Sequence, residues 1–338
     1  MLETSIKSIE GLAFMTHVGS YRFEKMIFKG KQSIVNLVFH PVTSQYYCMK
    51  IIPKELYSNI YSREFIENEI EAHKRLQHQN ILSFIESFED ISNFYIITDY
   101  CSKGNLAQFI SKNGAMSEGP AKEIFRQVLE AVSYIHESGF AHRDIKPDNI
   151  LIDSKFNIKL ADLGFSIHVT EGVMLNSFCG SLYYAAPEVL EGIPYNGIYA
   201  DMWSLGIVLF SLLTGSLPWT ATNDNHIAQQ IKSCAITIPD YLNPCETDLL
   251  NKLLNKDPQC RISCKEALQH NWITNKKSCL PPLIPTRHRS DSESSSFMRQ
   301  MTYMSKPQSA QPSNTSQVAL CTRKRCPLST TRRISNPV

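Results

Sequence analysis

The run His142-Arg143-Asp144-Ile145-Lys146-Pro147-Asp148-Asn149 gathers carboxylates, cations and an amide within one short stretch. Two further carboxylate motifs follow, Asp162-Leu163-Gly164 and Ala186-Pro187-Glu188, and upstream stand Lys50, in Tyr47-Cys48-Met49-Lys50, and Glu69. A carboxylate is a hard oxygen ligand for a divalent cation, and lysine is a compact charge for anionic oxygens. Singly, each has a plainer explanation. An Asp or Asn on a loop is usually a turn residue or a helix cap, and a Lys–Glu pair is usually a surface salt bridge. As an ordered set they suit chemistry in which charge is positioned and neutralised.

The elements that must hold these residues read in two blocks. Residues 21–52 alternate apolar and polar side chains, with Gly30 and His40-Pro41 as punctuation, which predicts two or three antiparallel strands. Residues 61–77 are charged and periodic and predict a helix. Ile81 to Phe88 and Phe94 to Tyr100 predict strands. After Gly104 the period becomes helical. Ile124, Val128, Val132 and Ile135 share one face of a helix over Ala121 to Glu137, with Pro120 at its start and Gly139 beyond its end. Further helical patterns cover 198–213, 245–255 and 262–269. A β-rich block before a helix-rich block predicts an α+β, two-lobed arrangement with a ligand cleft between the lobes.

Composition bounds the function classes. The chain has 338 residues, 43% hydrophobic and 20% charged, which suits a two-lobed enzyme with a tail rather than a fibrous or wholly disordered chain. The longest apolar run, Leu205 to Leu213, contains Gly206 and Ser211 and reads as a buried helix rather than a membrane span. The N-terminus lacks a signal-peptide apolar core. Ten cysteines occur with no CxxC spacing, which predicts reduced thiols and a cytoplasmic location, with the nucleus as the second choice. The last 65 residues hold 11 of the chain's 34 basic side chains and 2 of its 32 acidic ones, so residues 1–273 are net acidic. This Ser/Pro/Arg-rich tail is poor in core formers and is expected to be disordered. The organisation expected is an N-terminal extension 1–20, a folded domain 21–273 divided into lobes 21–101 and 102–273, and a basic tail 274–338.

The four motifs in this order resemble the eukaryotic protein kinases over about residues 21–273. The resemblance implies the bilobal fold, a small antiparallel β lobe with one helix and a larger, mainly helical lobe. It implies a Ser/Thr protein kinase that transfers the γ-phosphate of Mg·ATP to protein hydroxyls and acts in signal transduction. Phosphoryl transfer has a loose, charge-rich transition state, so positioning and charge neutralisation carry catalysis. Lys50 would hold the α- and β-phosphates, paired with Glu69. Asp162 and Asn149 would hold Mg²⁺. Asp144 would accept the hydroxyl proton, and Lys146 would neutralise the γ-phosphate. Ser181 matches the residue that bonds Asp144 and Lys146 in Ser/Thr members. Thr98 matches the gatekeeper. Asp99-Tyr100-Cys101 matches the hinge, and Val35, Cys48 and Leu151 would sandwich adenine. Glu188 with Arg261, and Asp201 beneath the catalytic loop, look architectural.

The segment Asn176 to Glu188 is similar to the calcium/calmodulin-dependent-kinase group, nearest its AMP-activated-kinase-like branch. Ser177 falls at the activation phosphosite, where a phosphate added by an upstream kinase would pair with Arg143. No basic amphipathic helix marks a calmodulin target, and there is no EF-hand loop. The sequence departs from the family at the glycine-rich loop. Phe28 and Ser33 stand at two of its glycine positions and only Gly30 remains. A Ser N–H still donates to phosphate, and Lys29 and Lys31 add charge. This departure sustains a rival reading, a pseudokinase scaffold with weak ATP turnover. Asn105 replaces an acidic residue that commonly meets ribose and a basic substrate residue, and Ser211 replaces another acid, so a basic substrate preference is weakened even with Asp148 present. His73, one turn after Glu69, stands where Leu or Met is usual and reads as a packed core histidine rather than a pH sensor. The tail has charge but no base-reading motif, so nucleic acid is not the expected partner.

Overall fold

The computed structural model describes residues 16–274 apart from 31, 32, 58 and 59. The expectations for Lys31, for the extension up to residue 15 and for the tail beyond residue 274 lie outside the described residues. All of these described residues belong to one unit, 1–305, and a second unit, 306–338, lies wholly outside them.

Six antiparallel strands form the first sheet: β1 His17–Val18, β2 Tyr21–Lys29, β3 Ile34–His40, β4 Gln45–Pro53, β5 Phe84–Glu89 and β6 Asn93–Asp99. Their spatial order is β1-β2-β3-β4-β6-β5. Strand alternation gives the sheet two faces. Val38, Tyr47, Met49, Ile51, Tyr95 and Ile97 build a core on one face. Ile52, Phe94 and Ile96 bury the other against Ile66 of helix α1, Ile60–Arg75. Two bulges, between Phe23 and Lys25 and between Met26 and Phe28, twist β2 against β3.

The rest of the described chain is mainly helical. Helices α2 (Leu106–Asn113), α3 (Glu118–Glu137), α4 (Pro187–Glu191), α5 (Gly197–Thr214), α6 (Asp224–Lys232), α7 (Pro244–Leu253), α8 (Cys264–Leu268) and α9 (Asn271–Thr274) surround one core. Helix α5 lies at its centre with Trp203, Leu205, Ile207, Val208, Leu209 and Leu212 fully buried. It is long and apolar enough to cross a membrane by composition, and its burial is that of a core helix. Two small two-stranded antiparallel sheets lie against this core: β7 (Phe140–Ala141) with β10 (Ile167–His168), and β8 (Ile150–Ile152) with β9 (Ile158–Leu160).

The differences from the sequence reading have local causes. The strand expected from Ile81 begins at Phe84, because Ile81 bridges to Leu160 of β9 and the Leu82 amide donates to the Leu160 carbonyl at 2.8 Å. The chain after α1 is therefore tied to the helical lobe before it enters the sheet. Helix α3 starts at Glu118, which puts Pro120 in the first turn, where an amide would have no helical partner. The sheet also begins at His17, ahead of residue 21.

Candidate active site

Two periodicities bring Lys50 to Glu69. On β4 the alternation puts Cys48, Lys50 and Ile52 on the face that α1 covers. On α1, Ile66, Glu69, Ile70 and His73 recur at helical spacing on the face turned to the sheet. The Lys50 Nζ accordingly donates to Glu69 Oε1 at 2.6 Å. Glu69 is buried, which pushes its carboxyl up, and the Lys50 ammonium opposes that shift. Lys50 Nζ also stands 3.7 Å from Asp162 Oδ1. Desolvation would raise the Asp162 carboxyl, but the charges of Lys50 and Lys146 outweigh it and hold Asp162 below the usual range.

The catalytic loop hangs from α5. Asp201, fully buried, accepts the His142 amide on Oδ2 and the Arg143 amide on Oδ1, both at 2.8 Å, and its Oδ2 lies 2.9 Å from His136 Nε2. This grip holds Arg143 at φ +67°, a left-handed conformation that a long side chain rarely adopts. The His142 ring accepts the Asp144 amide on Nδ1, so its Nε2 proton faces the Ala161 carbonyl at 3.2 Å. The ring thus joins the loop to the start of Asp162-Leu163-Gly164, where Asp162 is also left-handed, at φ +63°. Gly180 is required where the activation segment crosses this loop. It has φ +83°, and a Cβ there would meet the Arg143 carbonyl oxygen at 2.5 Å.

Three predicted residues converge on Asp144. Lys146 Nζ donates to Asp144 Oδ2 and to Ser181 Oγ, each at 2.7 Å. Ser181 Oγ donates to Asp144 Oδ1 at 3.0 Å. Asn149 Nδ2 donates to the Asp144 carbonyl at 2.9 Å and to Oδ2 at 3.0 Å. With its nitrogen committed, Asn149 has its amide oxygen to offer a cation. That oxygen and the ionised Asp162 carboxylate form a hard donor set that fits Mg²⁺.

The nucleotide-facing candidates share one face of the sheet. Phe28 pairs with Val35, Val35 with Lys50 and Leu37 with Cys48, and Cys48 pairs with Thr98. Directly opposed residues lie on the same side of a sheet. Leu151, Cys101, Leu82 and Ala161 form a small apolar cluster. Burial pushes the Cys48 and Cys101 thiols up to about 12, so both line the cleft as neutral groups. The Asp99 amide donates to the Ser83 carbonyl at 3.1 Å. At the loop, the Gly30 amide closes on the Ser33 carbonyl at 2.8 Å, and the Phe28 ring crowds Gly30, where a Cβ would meet Cε1 at 3.0 Å. Asn105 Oδ1 accepts the Gln108 amide at 2.8 Å as the cap of α2, in a reciprocal capping box, a structural role beside the expected one. The Asn-x-x-Gln spacing could have revealed this.

Arg143 does not reach Ser177 directly. Its Nε donates to the Phe165 carbonyl at 2.8 Å. Tyr195, which no sequence signal singled out, meets Arg143 and donates its hydroxyl to the Ser177 carbonyl at 2.9 Å. The Arg143 head and the Ser177 backbone thus meet around one phenol.

His73 is buried, stacked on Phe84 with ring centroids 6.0 Å apart, and its Nδ1 has no hydrogen-bond partner. Burial, reinforced by Lys50, lowers its pKa to about 4. The unfolded chain therefore binds more protons than the native one between that value and the usual 6.5, so stability is lost as the pH is lowered through this window. Replacing His73 with Leu is expected to stabilise the protein by about 1 kcal/mol at pH 7, by removing an unsatisfied buried acceptor. The advantage should widen by about 2 kcal/mol at pH 5. Urea unfolding at both pH values measures it, and parallel losses in the two proteins would contradict it.

The comparisons with known proteins agree with this geometry. The protein kinase domain family matches residues 21–273. A probable serine/threonine-protein kinase of Dictyostelium discoideum is 37% identical over 259 residues, covering 76% of this chain and 31% of that protein. Serine/threonine-protein kinase SIK1 of Mus musculus is 38% identical over 257 residues, covering 76% and 33%. SNF1-related protein kinase catalytic subunit alpha KIN12 of Arabidopsis thaliana is 35% identical over 267 residues, covering 78% and 54%. The aligned part thus spans about a third to a half of the length of these relatives. They agree with the AMP-activated-kinase-like branch read from the activation segment. With the Lys50–Glu69 pair closed and Asp144, Lys146, Asn149 and Ser181 bonded to one another, the chain belongs to the protein kinase family.

Proposed function

We propose that the protein is an active Ser/Thr protein kinase, transferring the γ-phosphate of Mg·ATP to Ser and Thr hydroxyls of protein substrates. The observation that carries this reading is the contact of Lys146 Nζ with both Asp144 Oδ2 and Ser181 Oγ at 2.7 Å. It leaves a carboxylate oriented from two sides, with a cation beside it, at the place where an acceptor hydroxyl would lie. Asp144 accepts the hydroxyl proton as the new O–P bond forms. Lys146 neutralises charge on the transferring group, and Glu69 holds Lys50 extended for the phosphates beyond it. Asp162 and Asn149 would hold the metal. Bound Mg·ATP supplies the phosphoryl group and the cation charge that screens it. The scaffold reading finds no support in this assembled centre or among the relatives.

Regulation by an upstream kinase at Ser177 belongs to the same proposal. A phosphate there adds charge that Arg143 would meet, in a segment already joined to Tyr195. The test is transfer from radiolabelled Mg·ATP to a generic protein substrate, followed by phosphoamino-acid analysis. The expected result is label on Ser and Thr, abolished in Asp162→Asn. Absence of transfer even after phosphorylation of Ser177 would overturn the proposal.

A further inference from the structure

We propose that Tyr195 is a positioning residue whose hydroxyl holds the activation segment and Arg143 in their working arrangement before any phosphate reaches Ser177. Its catalytic consequence, transfer by the unphosphorylated chain, rests on the kinase reading above.

Apart from one isolated bridge, the segment around Ser177 is irregular, yet it alternates. Leu175, Ser177 and Cys179 are half-buried, and Met174, Asn176 and Phe178 are exposed. That is the two-residue period of an extended chain lying on a surface. The half-buried residues all meet Tyr195. Leu175 and Tyr195 exchange backbone hydrogen bonds, at 2.8 and 2.9 Å. The Tyr195 hydroxyl donates to the Ser177 carbonyl at 2.9 Å. The Cys179 thiol lies beside the same hydroxyl.

The phenol is fixed from behind. Tyr195 belongs to the large core and stands two residues before α5 begins. Asn196 caps that helix, its Oδ1 accepting the Ile198 amide at 2.9 Å. Gly197 lets the segment come close, since a Cβ there would meet Ala141 Cβ at 2.7 Å and Leu175 Cδ1 at 3.1 Å. The same helix carries Asp201. One rigid element therefore holds the catalytic loop by a carboxylate and the activation segment by a phenol.

A phenol serves two partners at once. Its proton goes to the Ser177 carbonyl, and its oxygen still accepts from the Arg143 guanidinium that meets it. The Phe165 carbonyl holds Arg143 Nε on the other side. A phosphate on Ser177 would offer anionic oxygens to this same guanidinium. Phenol and phosphate thus act on one group, and each makes the other less necessary.

The experiment compares the full chain with Tyr195→Phe, each freed of phosphate by a phosphatase and each phosphorylated on Ser177. Phenylalanine keeps the ring in the core and removes only the hydroxyl. In the unphosphorylated pair, hydrogen–deuterium exchange at residues 174–180 should be faster by about tenfold in Tyr195→Phe, with exchange in α5 unchanged. The unphosphorylated variant should lose about tenfold in kcat, with the KM for ATP changed by less than about threefold. Phosphorylation of Ser177 should bring it to within about threefold of the phosphorylated wild type, because the ion pair replaces the phenol. Equal exchange in the two unphosphorylated proteins would overturn the proposal. So would a loss of the same size in both phosphorylation states, which would make the hydroxyl merely structural. If the wild type transfers nothing in either state, the kinase reading fails, and the exchange alone decides whether Tyr195 holds the segment.

Discussion

Asp144→Asn should lower phosphate transfer by about 10²–10⁴-fold, the usual contribution of a positioned general base. The amide is nearly the same size, so the change isolates the charge. Asn149 Nδ2 donates to Oδ2 and Ser181 Oγ to Oδ1, so the single oxygen of the new amide can meet only one of these two donors. Lys146 loses its ionic partner but keeps Ser181 Oγ at 2.7 Å. The loop itself is held through the backbone amides of His142 and Arg143 by Asp201, so its conformation does not depend on the Asp144 side chain. The loss should therefore appear in kcat, with the KM for ATP changed by less than about threefold and the melting temperature preserved. Steady-state kinetics with a protein substrate measures this. Transfer retained to within tenfold would remove Asp144 from the role of base.

The second large effect is on stability. Arg261 Nη1 and Nη2 donate to Glu188 Oε1 and Oε2 at 2.7 and 2.8 Å, with both side chains almost wholly buried. The guanidinium also donates to the carbonyls of Tyr199 and Asn255 and lies over the Trp203 ring, 5.2 Å from its centroid. Arg261→Ala removes all of this and leaves the Glu188 carboxylate buried without its partner. The expected cost is about 3–5 kcal/mol, a large part of the roughly 5–15 kcal/mol that holds a domain folded. The melting temperature should fall by on the order of 10 °C. The double variant Glu188→Leu with Arg261→Met should recover much of the loss, because the penalty lies in the stranded charge rather than in the missing attraction. Thermal unfolding of the three proteins decides this. A loss below about 1 kcal/mol in Arg261→Ala would show that water reaches Glu188.

What could be read in the sequence was local. Strand alternation around Lys50 and helical periodicity around Glu69 gave the elements, while the pairing of the two side chains was implied by the kinase resemblance. The residues around Asp144 lie in one short run, and their order is informative without a fold. Tertiary partners left no such trace. Nothing near Arg143 marks Phe165 or Tyr195 as its neighbours, since the former is met through a backbone carbonyl and the latter lies far along the chain. Ile81 looked like the start of a strand because it is apolar and β-branched, but its bridge is to Leu160 in the other lobe. Backbone propensity also argues against left-handed Arg143 and Asp162. Both conformations are imposed by contacts, which is why they stand at the site and not in the surrounding elements.

The grip of Asp201 on the catalytic loop has a consequence for the growing chain. The two backbone amides it holds lie 59 and 58 residues before it. At about 5–20 residues per second of synthesis, the loop waits roughly 3–12 seconds for its anchor to be made. During that interval the hold of Asp201 on Arg143 is missing, so once Ser181 has been made the nascent chain carries every catalytic side chain without their arrangement. Competence arrives late, when the central helix docks, and a polypeptide ending before it would be silent whatever motifs it contained.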